Sequence, residues 1–203
     1  MSAATDSRPA RVDSSDDRVR GLVLVVAMVG VMWLLEVFDI VGAGFDSEGI
    51  HPRDVDALPG IAFAPFLHAG WGHLIGNTIP FLILGAAIAL SGLARTAAVV
   101  GIVALVGGLG TWLLGPGNTN HIGASGLVFG FAAYLIARGV YSRRPLHLAV
   151  GLIVLGVYGT TLLFGLMPTP GVSWQGHLFG AVGGVVAARA LHAATRRTSP
   201  AAS

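Results

Sequence analysis

The chain has no cysteine and no lysine, and it carries little charge of any kind. The lack of cysteine excludes a disulfide framework, a thiol nucleophile and any zinc site built on thiolates. Only 11% of the residues are charged, whereas a soluble domain carries roughly 25%. Against that shortage, 54% of the chain is hydrophobic, which excludes an ordinary soluble domain and indicates a membrane protein of one domain. All 12 basic residues are arginine. The isoelectric point of about 9.7 would suit a nucleic-acid partner, but the arginines stand in short loops and tails. Positive charge placed there sets the orientation of a membrane protein, so no nucleic acid is expected.

What fills the sequence instead is a set of apolar stretches. Six of them approach the roughly 20 residues needed to cross about 30 Å of hydrocarbon. They lie near 21–41, 72–92, 96–114, 122–140, 146–167 and 174–193. The first is too long for a typical secretory signal and too weakly followed by a small-residue cleavage site, so it is read as a retained helix. Residues 1–20 mix Ser, Asp and Arg and read as a disordered tail, and residues 194–203 form a second tail. The expected fold is therefore an all-α membrane protein, a six-helix bundle over residues 21–193.

Arginine positions orient the bundle. Arg8, Arg11, Arg18 and Arg20 precede the first stretch, and Arg95 lies between the second and third. Arg138, Arg143 and Arg144 lie between the fourth and fifth, and Arg189, Arg196 and Arg197 at the end. These fall on one side, and Arg53 alone falls on the other. The positive-inside rule makes the first side cytoplasmic, with both termini there. Trp71, Trp112 and Trp174 fall near the opposite face, as an interfacial aromatic belt does. The first outer connection, 42–71, is long enough to predict structure or function of its own. The Arg-only, Ala-, Gly- and Val-rich composition fits a GC-rich bacterial genome, and the expected location is a bacterial plasma membrane.

With the N-terminus inside, helices two, four and six all begin at the outer face. Helix two opens with His68, His73 and Asn77, helix four with Ser125, and helix six with His177. Ionisable and polar groups inside membrane segments are functional candidates by default. A hydroxyl nucleophile and an imidazole base at one depth suggest hydrolysis, with water reaching them from outside. Ser125 sits in Gly123-Ala124-Ser125-Gly126, which taken alone is more often a packing motif than a nucleophile. It is not a Gly-x-Ser-x-Gly elbow, because Leu127 holds the last place. His177 is followed by Gly180 and Gly184 on one helix face, which could press helix six onto Gly126 and Gly130 of helix four. Phe129, one turn after Ser125, could stack on the imidazole or simply fill the core. His73 and Asn77 share a face of helix two. They could donate to an oxyanion or merely hold helices together.

Other polar residues have competing readings. His68, His73 and His177 could in principle ligate zinc, but neither Cys nor a His-Glu-x-x-His motif is present. Helices two, four and six contain no carboxylate, so no metal and no cofactor is expected. Ser173 is expected to cap helix six. His121 is read as a solvated loop residue. Glu36 and Asp39 are expected to meet the long outer connection or headgroups. His147 and His192 lie on the cytoplasmic side. A small transporter would also carry a polar cluster, but here the polar residues stop in the outer half.

Together, His68-x4-His73-x3-Asn77, Gly123-Ala124-Ser125-Gly126 and Gly176-His177-x2-Gly180-x3-Gly184 resemble the rhomboid intramembrane serine proteases. The resemblance spans residues 21–193 and matches the minimal six-helix bacterial form. It implies that Ser125 is the nucleophile and His177 its base, a dyad without an acidic third member. It implies an oxyanion hole of His73, Asn77 and the Ser125 N–H, with His68 supporting at the cavity mouth. Phe129 would pack on the catalytic His, and Gly123 would flank the nucleophile. Gly180 and Gly184 would pack helix six on helix four. Helix five and loop 168–173 would be the lateral gate and cap, and the substrates would be transmembrane proteins cut near the outer face. Silent scaffolds related to this family usually lack the Ser or the His; this chain has both. Many members also carry a Trp-Arg pair in the first outer loop. None occurs in 42–71, where Arg53 follows Pro52 without a Trp.

Overall fold

The computed structural model describes residues 14–198. It contains six long helices: α1 (Ser14–Ile40), α2 (Trp71–Ala89), α3 (Leu93–Leu114), α4 (Ser125–Ser142), α5 (Pro145–Gly165) and α6 (Trp174–Thr198). All six are long and apolar enough to cross a membrane. Large apolar side chains such as Val26, Ile79, Ile83, Leu105, Leu152 and Ile153 face outward. Exposure on that scale requires an apolar surrounding, so the protein is a multi-pass membrane protein with a lipid-facing belt.

The ends of the bundle differ from the expectation. Residues 14–20 were placed in a disordered tail but form the start of α1. Asp16 and Asp17 stand in the first turn, where a carboxylate favours the helix N-terminus. Asp17 Oδ1 also accepts the Leu93 N–H at 3.3 Å, so one side chain serves the starts of both α1 and α3. At the other end the helix runs past 193 to Thr198. Residues 1–13 and 199–203 of the expected tails lie outside the described residues. Helix α4 starts at Ser125 rather than 122, because Gly123 has φ +114°, a conformation that favours glycine and interrupts a helix.

The core sits midway along the bundle, where Phe81 of α2 meets Phe131 of α4 at 5.2 Å between ring centroids. Glycines decide how close the helices come. A Cβ on Gly180 would strike the Gly126 carbonyl, and one on Gly184 would strike the Gly130 carbonyl. On another face of α6, a Cβ on Gly183 would lie 3.0 Å from the Val103 Cα of α3. Helix α6 is therefore wedged between α3 and α4 at backbone contact, as small-residue faces allow in membranes. Helix α1 packs against α2, where a Cβ on Gly85 would lie 2.8 Å from Val25 Cγ1. Helix α5 rests mainly on α4 and buries only Gly151 and Val154 fully.

The long connection between α1 and α2 has its own structure. It holds a short 3₁₀ turn (Phe45–Glu48), one α-helical turn (Gly60–Phe63) and a second 3₁₀ turn (Ala64–Phe66). Ile50 pairs with His121 in a two-way backbone bridge, both bonds at 3.0 Å. Asp39 Oδ1 accepts the Asp46 N–H at 3.3 Å, so Asp39 meets this connection as expected. Burial and the nearby Asp39 carboxylate push the Asp46 carboxyl up to about 6. Arg53 donates to the carbonyls of Leu113 (3.2 Å) and Gly115 (2.7 Å), a cation at the negative end of α3. Trp112 Nε1 donates in return to the Asp54 carbonyl at 2.8 Å. The connection has no adjacent Trp-Arg pair, but the fold brings an Arg and a Trp together from two segments.

Candidate active site

The N-terminal ends of α2, α4 and α6 converge at one end of the bundle. Ser125 is the first residue of α4, so its N–H is among those that have no partner within the helix. The loop before it is held by two contacts. The Gly123 N–H donates to the Ala64 carbonyl at 2.8 Å, and the Ala124 N–H donates to His68 Nε2 at 3.3 Å. The backbone before Ser125 is thus fixed by the connection between α1 and α2 and by one imidazole.

His177 Nε2 lies 2.9 Å from Ser125 Oγ. Its Nδ1 lies 2.7 Å from the Gly165 carbonyl at the end of α5. A carbonyl only accepts, so Nδ1 carries the proton and Nε2 is left to accept the Ser125 hydroxyl proton. A backbone carbonyl does here what a carboxylate does in a triad: it fixes the tautomer and the ring plane. The ring is stacked on Phe129 at 4.1 Å and 7°, which fixes the remaining rotation. His177 is buried to 8% exposure. A Cβ on Gly165 would strike Phe129 and approach His177 Nδ1 to 3.2 Å, so only glycine brings that carbonyl so near.

His73 and Asn77 border the same loop. A Cβ on Gly123 would lie 2.7 Å from His73 Nε2 and 3.7 Å from Asn77 Nδ2. His73 Nδ1 accepts the Ala69 N–H at 3.4 Å, which leaves the proton on Nε2, facing the loop. Asn77 Nδ2 gives one N–H to the His73 carbonyl at 3.1 Å and keeps a second. Two side-chain donors therefore face the Gly123 backbone, two residues before Ser125. A cavity of about 50 Å³, lined by Ser125, Gly123, Gly126, Gly176 and Ser173 but not by His73 or Asn77, is enough for a water molecule. His68 packs edge-on against His73, with ring centroids 5.0 Å apart. Its Nδ1–H donates to the Phe66 carbonyl at 3.4 Å. Burial, with His73 beside it, lowers His68 to about 4, so it stays neutral and keeps an acceptor for the Ala124 N–H.

The expectation for His121 is corrected. It is buried, 8% exposed, rather than solvated. Its backbone bridge to Ile50 turns it inward, and burial pushes its imidazole down, towards the neutral form. Its Nδ1 lies 2.6 Å from Ser173 Oγ and its Nε2 2.8 Å from Thr119 Oγ1. Ser173 Oγ in turn accepts the Gly176 N–H at 3.2 Å, the helix-capping bond expected of it. This chain ties the connection between α3 and α4 to the start of α6, one residue before His177. Glu36 is buried at 3% exposure, and its Oε2 has no hydrogen-bond partner among the described residues. No three of the described His, Asp or Glu side chains gather in a way that could hold a metal ion. His147 bonds Ser142 Oγ at 2.8 Å, and His192 stacks on Tyr141 at 6.4 Å. Both lie at the opposite end of the bundle.

Sequence reasoning missed Gly165, His121 and Thr119. A backbone acceptor has no side-chain signature, so only the glycine itself hinted at Gly165.

Comparisons with known proteins agree with the fold. The model of the Rhomboid domain matches residues 57–194. Uncharacterized protein Rv1337 of Mycobacterium tuberculosis is 47% identical over 189 residues, covering 88% of this chain and 78% of that protein. Uncharacterized protein ML1171 of Mycobacterium leprae is 46% identical over 188 residues, covering 88% of this chain and 74% of its own. The Putative rhomboid protease YdcA of Bacillus subtilis is 25% identical over 119 residues, covering 58% of this chain and 59% of that one.

Proposed function

This chain belongs to the rhomboid family, a family of intramembrane proteases, and we propose that it is a serine endopeptidase acting through a Ser125–His177 dyad. The observation that carries this reading is the 2.9 Å contact from Ser125 Oγ to an imidazole nitrogen left unprotonated by the Gly165 carbonyl. Ser125 Oγ attacks a peptide carbonyl as His177 Nε2 takes its proton. The tetrahedral oxyanion is met by the Ser125 N–H, His73 Nε2–H and Asn77 Nδ2–H. The C–N bond then breaks as His177 returns the proton to the leaving amine. Water drawn from the outer face hydrolyses the acyl-enzyme by the same route in reverse.

The substrate is a membrane-anchored protein cut near the outer face of the bacterial plasma membrane, with both termini of the protease in the cytoplasm. A membrane helix has its carbonyls bonded internally, so helix-breaking residues near the cut favour cleavage. A fluorophosphonate probe labels the wild type and not Ser125→Ala. Ser125→Ala and His177→Ala lose cleavage of a model transmembrane substrate. Asn77→Ala retains a residue of activity, reduced roughly 10²–10³-fold by loss of one oxyanion donor. Wild-type cleavage by Ser125→Ala would overturn the mechanism. Because the base must be neutral, cleavage falls at acid pH.

A further inference from the structure

Before α6, the chain from Met167 to Val172 is exposed, and the Val172 N–H bonds back to Thr169 within the same loop. Ser173, next along, reaches another element. Its Oγ lies 2.6 Å from Nδ1 of His121, in the connection between α3 and α4. The neighbours of this contact determine where its protons sit. The Thr119 hydroxyl donates to the Pro116 carbonyl at 2.6 Å, so Thr119 Oγ1 is left to accept from His121 Nε2 at 2.8 Å. His121 therefore carries its proton on Nε2, and Nδ1 accepts the Ser173 hydroxyl proton. Burial, with His51 nearby, favours that neutral imidazole. Ser173 Oγ keeps its lone pairs for the Gly176 N–H at 3.2 Å. Capping α6 needs the Ser173 oxygen but no partner for its proton; His121 supplies that partner from a different segment.

Both ends of this contact lie close in the chain to the proposed dyad. His121 is four residues before Ser125, and its backbone is pinned to Ile50 by two bonds of 3.0 Å. Ser173 is four residues before His177, and its carbonyl accepts the His177 N–H at 3.1 Å. Its side chain thus holds Gly176 while its backbone holds His177. On the other side of His177, Gly180 lies against the Gly126 carbonyl. That seam fixes how close α6 comes to α4, but a smooth glycine face leaves a helix free to slide or turn. A bond at the first turn of α6 removes that freedom. We propose that His121 and Ser173 are positioning residues acting as a pair: by tying the two segments together they set the reach of His177 Nε2 to Ser125 Oγ. This inference rests on the proteolytic reading of Ser125 and His177.

The test is steady-state cleavage of a model transmembrane substrate by the full-length protein in dodecyl maltoside, with thermal unfolding and amide hydrogen exchange on the same variants. His121→Phe keeps a ring and removes both side-chain bonds, and Ser173→Ala removes the hydroxyl. Each should lower kcat about tenfold, short of the roughly 10²-fold that a misplacement of about 1 Å can cost, and leave KM unchanged. Because the pair acts through one bond, the double variant should be no slower than the slower single. Ser173→Thr restores the hydroxyl and should keep the wild-type kcat. Wild-type kcat in either single variant, losses that multiply in the double variant, or a change in KM alone would overturn the proposal. Wild-type cleavage by Ser125→Ala would instead overturn the proteolytic reading, and the tie is then read from exchange. His121→Phe should speed exchange in 174–178 and leave 186–192 as in the wild type; unchanged exchange in 174–178 would show that the pair does not hold the start of α6.

Discussion

His68 is 1% exposed and bonded on both ring nitrogens to backbone groups. A proton added to Nε2 would turn an acceptor into a donor facing the Ala124 N–H. With its value lowered to about 4 in the fold, against about 6.5 unfolded, the unfolded chain binds more protons between those pH values. Stability from this residue is therefore full above pH 6.5 and is lost as pH falls towards 4, on the order of 3 kcal/mol at most. His68→Gln keeps an acceptor that does not titrate. Thermal unfolding across pH 7 to 4 should show a shallower loss for His68→Gln than for the wild type; parallel curves would remove His68 from the account. Residues like Ser125 and His177 were legible in the sequence because each sits in a short glycine-flanked motif on an apolar run. The Gly165 carbonyl and the buried state of His121 were not, because each depends on a pairing between distant segments that no local period records.

At the scale of elements, the α4–α6 seam sets the distance between Ser125 and His177, the proposed dyad. Gly180 and Gly184 face backbone carbonyls of α4, which cannot swing aside as a side chain can. Gly184→Val must therefore separate the helices. Overpacking of this kind costs about 3 kcal/mol, and it draws His177 away from Ser125. Such a variant should lose cleavage and unfold at lower temperature. Gly101 of α3 has open space where a Cβ would go. Gly101→Ala should keep full activity and gain about 0.5–1 kcal/mol from helix propensity. Unfolding and cleavage assays on the pair separate a packing role for glycine from mere tolerance of it. The seam was legible because glycines four apart mark one helix face. The start of α1 was not, because Ser14–Arg20 is polar and its helix rests on a long-range bond from Asp17 to Leu93.

Across the whole molecule, stability is unevenly shared, and the uneven part touches the site. Helix α6 is held at backbone contact on two faces, whereas α5 has only Gly151 and Val154 fully buried. Yet α5 ends in Gly165, whose carbonyl fixes the tautomer of His177. The least anchored span thus supplies one contact on which the proposed base depends. Segments with few buried contacts open first, so α5 and loop 168–173 should exchange amide hydrogens before α4 and α6. Hydrogen exchange read by mass spectrometry on the protein in detergent tests this directly. Protection of 145–165 equal to that of 125–142 would mean that α5 is as firmly held as the core. If α5 does open first, each opening that breaks the Gly165–His177 bond frees the imidazole to change tautomer. The proposed dyad would then be competent only while α5 is closed. A helix that admits substrate by moving would also switch off the base until it returns, protecting Ser125 from reaction while the site is open.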